Sequence, residues 1–150
     1  MTIRPSGSMP VVPWGAKTEL ATGGYLVTTM SGRADKEFVD ALRPQMLAKV
    51  KPPDIVDWIA DASLVESFDP KTLMQAASEL LRDFKKQGGR FVVAIITKPT
   101  IRMAASTISF MSGAIGGAKV HIVDSMPHAI RELEQLRRRE LELQRKAGRK

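Results

Sequence analysis

The order of periodic segments predicts an α/β fold, a mixed and mostly parallel sheet of about four to five strands with about four helices. Three observations lead there. Helical and strand patterns alternate along most of the chain, residues 91–96 (FVVAII) are apolar at every position, and two strand-like segments precede the first helix. Repeated strand–helix–strand steps with short connections imply right-handed crossovers and parallel neighbours. A run that is apolar on both sides of the pleat marks an interior strand covered on both faces. The first two strands then form an antiparallel hairpin at one edge.

Residues 1–15 contain Pro5, Pro10 and Pro13, with Gly7 between two serines, and read as an arm without regular structure. An edge strand follows over residues 16–20, and Thr22-Gly23-Gly24 is a tight turn. Residues 25–30 (YLVTTM), rich in β-branched and aromatic types, form a strand that residues 31–35 bring to an end. From Lys36, the positions Phe38, Val39, Leu42, Met46, Leu47 and Val50 recur at helical spacing. Pro44 should kink or split that helix, and Lys51-Pro52-Pro53-Asp54 stops it.

The next strand covers residues 55–60 (IVDWIA), and residues 61–69 read as the loop that leaves it. Asp69 before Pro70 is a strong helix start, because Asp caps free N–H groups and Pro suits the first helical position. Leu73, Met74, Ala77, Leu80, Leu81 and Phe84 give this helix its apolar stripe, and Gly88-Gly89 ends it. Residues 90–97 are the interior strand, and Lys98-Pro99-Thr100 is a connection. Residues 101–115 are a helix rich in small side chains, whose buried stripe needs only Ile101, Ala105, Ile108 and Met111. A short strand over residues 119–123 leads to a last helix capped by residues 124–127. Its inner face is Ala129, Ile130, Leu133 and Leu136, continued more weakly by Leu141 and Leu143.

A chain of 150 residues has room for one well-filled core. The expected organisation is an arm over 1–15, the domain over 16–138 and a basic helical extension or tail over 139–150. Residues 129–150 hold eight Lys and Arg against four Glu, more than half of the net charge of +7, so the domain itself is only mildly basic. That end reads as a solvated charged helix; contact with nucleic acid or an anionic surface through it is disfavoured but remains an alternative. Glu134 with Arg138 in the LEQLRRRELELQR pattern could also pair the helix with a second copy, making a homo-oligomer. The longest apolar run is too short to span a bilayer, and the first fifteen residues lack a secretory apolar core, so a cytoplasmic location is expected.

The absence of cysteine excludes disulfides, thiolate catalysis and thiolate metal sites. The two histidines, His121 in the short strand and His128 at the start of the last helix, form no metal-binding or catalytic spacing. Gly23-Gly24, Gly88-Gly89 and Gly116-Gly117 lack the context of a phosphate-cradling loop. No catalytic residue, metal or cofactor is therefore expected. Acidic residues do gather where a parallel sheet has its C-terminal edge: Asp35, Asp61 and Asp69, with Thr97-Lys98 after the interior strand. Ligands and partners of open α/β sheets bind at that edge. The same carboxylates also suit helix caps and a turn closure, and the two roles are compatible.

Several segments match a known pattern in order. Residues 25–35 (YLVTTMSGRAD) resemble the opening strand of STAS domains (sulphate transporter and anti-sigma factor antagonist), which ends in a G-x-x-D turn. Trp58-Ile59-Ala60-Asp61, six intervening residues and Phe68-Asp69 resemble the family's next strand and acidic loop. Residues 88–93 (GGRFVV) and 120–125 (VHIVDS) continue the likeness, which covers roughly residues 22–138.

The resemblance implies a STAS-like fold and a non-catalytic regulatory or scaffolding module that binds a protein partner, either a kinase-like regulator or another STAS protein. It also implies a switch, since the family commonly carries a phosphorylatable serine after the aspartate, in D-S-x-G-L. This chain reads Asp69-Pro70-Lys71-Thr72-Leu73, so Pro70 stands in its place and Thr72, Ser67 and Ser63 are the substitutes left. The candidate partner-binding set is Asp35, Asp61, Ser63, Ser67, Asp69, Lys71, Thr72 and Arg102, together with the small-residue helix. The alternative is a small-ligand domain, with an apolar pocket between sheet and helices taking a lipid or a nucleotide.

Overall fold

In the computed structural model, which describes residues 14–51 and 54–148, the elements follow the predicted order. They are β1 (Trp14–Ala21), β2 (Tyr25–Ala34), α1 (Lys36–Leu47), β3 (Val56–Phe68), α2 (Pro70–Gln87), β4 (Gly89–Ile95), α3 (Pro99–Ala114), β5 (Val120–Val123) and α4 (Met126–Gly148). The sheet order is β1-β2-β3-β4-β5, with β1 antiparallel to β2 and every other neighbour parallel. The hairpin closes at the Ala21↔Tyr25 pair, where Gly23 and Gly24 take φ of 109° and 77° that other residues adopt only under strain. The edge strand begins at Trp14, two residues earlier than predicted. Residues 1–13 of the expected arm, and Pro52 and Pro53 of the expected stop, lie outside the described residues.

Alternation along the central strands divides the core in two. Leu26, Met30, Trp58, Ala60, Val92 and Ala94 pack with α1, α2 and α3 on one face. Ile59, Val93, Ile95 and Val123 pack with Ala129, Leu133 and Leu136 of α4 on the other. β4 is thus covered on both sides, as its unbroken apolar run requires. Polar groups that this burial traps are satisfied. The Trp58 indole N–H donates to Thr28 Oγ1 at 2.9 Å, and that hydroxyl shares a 2.8 Å bond with Thr18 Oγ1.

Several sequence expectations need correction: residues 31–34 do not end the second strand but continue β2, and Pro99 and Thr100 belong to α3 rather than to a connection. Pro44 does not split α1, which is unbroken from Lys36 to Leu47. It stands in the last turn, where its missing N–H deprives only the carbonyl of Asp40, a residue exposed to water. Ile130 is not part of the inner face of α4; it is 38% exposed, while Ala129, Leu133 and Leu136 carry the packing. Most consequential, residues 61–68 are not a loop but the second half of β3.

Candidate functional site

β3 outruns its neighbour on one side. Its pairing with β4 ends at Asp61↔Ile95, whereas its pairing with β2 continues to Ala34↔Phe68. The result is a ribbon that extends past the end of β4, with β1 alongside β2 as far as Trp14↔Gly32 and β2 and β3 alone beyond it. From Thr29 to Ala34 β2 takes five steps, while β3 takes seven from Asp61 to Phe68, and the surplus is absorbed in two bulges. Each extra residue turns the following side chains to the opposite face. Val65 is consequently buried with the α1–α3 core while Leu64 beside it is 59% exposed.

Asp61 sits at the first bulge and organises it. Its Oδ1 accepts from the Ser63 backbone N–H at 3.1 Å and from the Ser63 hydroxyl at 2.7 Å. Among the described residues no strand pairs with the β3 edge of the ribbon beyond Asp61; there the Lys98 ammonium donates to the Val65 carbonyl at 2.9 Å.

The ribbon delivers the chain into two helix starts that are stitched together. Asp35 caps α1 by accepting the Phe38 N–H at 3.0 Å. Asp69 caps α2: its Oδ1 accepts the Lys71 N–H at 3.1 Å and its Oδ2 accepts the Thr72 hydroxyl at 3.0 Å. Pro70 occupies the first helical position, as the sequence predicts. Thr72 Oγ1 also accepts the Lys36 N–H at 3.3 Å, and the Asp69 N–H donates to the Ala34 carbonyl at 2.9 Å. Asp35, Asp69, Lys71 and Thr72 are thereby one connected cluster. Asp61 and Ser63 form a separate pair at the base of the ribbon, and Ser67 and Arg102 are exposed, on β3 and α3 respectively.

α3 has two distinct faces. Ile101, Ala104 and Ser112 are buried, and the Ser112 hydroxyl donates to the Ala118 carbonyl at 2.8 Å. Ala105, Ile108 and Met111 of the predicted stripe are half-buried. On the outer face Met103 is 72% and Phe110 79% exposed, with Ser106 and Thr107 between them. Arg102 is the single charged residue of the helix.

A second acidic site, not foreseen, lies at the opposite end of the strands. Asp57 of β3 is buried and accepts four hydrogen bonds: from Arg90 Nε at 3.0 Å and a second Arg90 nitrogen at 2.8 Å, from the Phe91 N–H at 3.0 Å, and from Arg137 Nε at 2.7 Å. Arg137 reaches on to the Gly23 and Gly24 carbonyls at 2.9 and 3.2 Å, joining α4 to the hairpin turn. Burial opposes the charged carboxylate, but the two guanidiniums and the backbone N–H prevail and lower its pKa. The signal available in the sequence was an aspartate inside the apolar run IVDWIA, where an acid needs a cationic partner.

Among the described residues no group of His, Asp or Glu is arranged to hold a metal ion, and no helix is long and apolar enough to cross a membrane. His128 Nδ1 lies 3.0 Å from Asp124 Oδ1 within one helix start. His121, on β5, has its pKa lowered by burial first of all.

No family model and no curated protein matches the sequence. Solved structures match its fold. An anti-sigma factor antagonist from Mycobacterium paratuberculosis is 18% identical with a TM-score of 0.56, over 81% of this chain and 94% of that one. The anti-sigma factor antagonist SpoIIAA in its unphosphorylated form is 15% identical with a TM-score of 0.54, over 82% and 98%. A protein of the DUF3478 family from Shewanella loihica, with a SpoIIAA-like fold, is 15% identical with a TM-score of 0.54, over 80% and 93%. At these identities the likeness is one of fold, and it agrees with the order of segments in the sequence: the chain is built as a STAS-like domain.

Proposed function

We propose that this domain, residues 16–138, is a non-catalytic regulatory or scaffolding module that docks a protein partner at the C-terminal edge of its sheet. One observation carries the reading: the outer face of α3 presents Met103 and Phe110, two turns apart and largely exposed, with no charge between them. Methionine and aromatic side chains are enriched in interfaces, and a charge-poor exposed stripe is costly to leave in water. The polar rim is supplied by Asp69, Lys71, Thr72 and Arg102, and by the ribbon with Asp61, Ser63 and Ser67; Asp35 holds the start of α1 beside them. Fold neighbours that are anti-sigma factor antagonists support a kinase-like regulator or another STAS-like protein as the partner. In this reading the basic extension over 139–150 takes no part in docking.

A phosphate on Thr72 would set its charge against the Asp69 carboxylate and break the cap, and one on Ser63 would break the bond to Asp61. The Ser67 hydroxyl has no hydrogen-bond partner among the described residues and carries no such cost, so any phosphorylation control acts there. The test replaces Phe110 by a photo-crosslinking phenylalanine analogue to capture the partner. Binding of that partner is then measured for Met103→Asp and for the double reversal Asp69→Lys with Lys71→Glu. Roughly tenfold weaker binding in both, with folding retained, is expected for truncated interface anchors. Unchanged affinity in both variants removes the assignment of this surface.

A further inference from the structure

We propose that the core contains a binding site for a small uncharged apolar ligand, a single aromatic ring or a short alkyl chain, between the sheet and helices α1–α3. The inference goes beyond the docking surface and does not depend on it. A cavity of about 130 Å³ lies in this layer, and every residue lining it is apolar. An engineered apolar cavity of about 150 Å³ stays dry and binds benzene, so the volume here suits one ring or roughly six to eight carbons.

The void has an identifiable cause. Ala60 and Ala62 of β3, Ala94 of β4, Ala77 of α2 and Ala104 and Ala105 of α3 all line it, so small side chains meet small ones across the layer. Close packing needs large groups opposite small ones, and a Val or Leu at any of these positions would supply the missing volume. Water is a poor occupant because it needs several polar partners. Two polar groups at or beside the lining are already engaged: the Trp58 indole N–H with Thr28, and the Ser78 hydroxyl with the Met74 carbonyl. The lining carries no cation or hydroxyl for a phosphate, so the cavity does not suit a nucleotide. Ala62, Phe68, Ala77, Ala105, Ile108 and Val120 are the half-buried members of the lining, and all but Val120 place access where the ribbon, α2 and α3 converge.

The experiment uses the full chain with toluene, ethylbenzene and xenon as probes and benzoate as a charged ring of similar size. At a ligand concentration about a hundred times Kd, toluene or ethylbenzene should raise Tm by about 5 °C, and benzoate should not. Saturable amide chemical-shift changes, including those caused by xenon, should map to β3, α2 and α3. Ala105→Leu and Ala60→Val each fill part of the void; either one, if folded, should lose the toluene and ethylbenzene response. The proposal is overturned if none of the three neutral probes gives a saturable response, if benzoate acts equally, or if the filled variants respond as the parent does.

Discussion

Aspartates at the two ends of the parallel strands hold the molecule in different ways. At the C-terminal edge Asp35 and Asp69 remain partly exposed and each accepts local donors from the helix it starts. At the N-terminal edge Asp57 has a side chain only 1% exposed and gathers groups that are 33 and 80 positions away in sequence. Exposure separates the two cases. A capping carboxylate in contact with water can meet a partner at little cost, whereas a buried one is committed to its guanidiniums and fastens the fold. This difference in exposure is why the docking surface is proposed at the C-terminal edge.

The contrast can be broken first at Asp57. Arg90→Ala leaves a buried carboxylate without its two-pronged partner and should cost about 3 kcal/mol or more in urea denaturation. Arg137→Ala removes one bond to Asp57 and the ties to Gly23 and Gly24, and should cost less, about 2 kcal/mol. A titration sharpens the same point. The lowered pKa of Asp57 means that its contribution to stability is complete above the unfolded value of about 3.9 and is lost as pH falls through the folded value. In Asp57→Asn this part of the acid-side decline of Tm should vanish. A remainder should persist from Asp83, whose pKa is lowered chiefly by its hydrogen bond from Arg43.

At the other edge the effects should be smaller. Asp69→Ala and Asp35→Ala each remove one helix cap and should cost about 1 kcal/mol by thermal or urea unfolding. Smallest of all, Met103→Asp and Lys71→Glu alter exposed side chains and should move stability by no more than about 0.5 kcal/mol. A loss of several kcal/mol in the latter pair would show that this edge, too, is structural.

The half of β3 beyond Asp61 shows why part of the candidate site was hidden. SLVESF does not alternate cleanly, because two bulges shift its pleat, and Gly32 in the partner strand has a φ of 81°. Read locally it resembles a loop, and only the presence of β2 alongside makes it a strand. The caps were legible because each is a bargain between residues two or three positions apart: Asp35 with Phe38, Asp69 with Lys71 and Thr72. The candidate residues Ser63, Ser67 and Arg102 could be named from the sequence, yet which of them share a cluster could not.

The sequence by itself determined the element order, the helix starts at Asp35 and Asp69, the two-sided burial of β4 and the proline that opens α2. These follow from periodicity, capping and backbone restriction, which act over a few residues. Tertiary structure decided the ribbon, the Asp57 fastening and the cavity beneath α3. Each depends on which distant segments are brought side by side, and no local pattern records whether an alanine will face a leucine or another alanine.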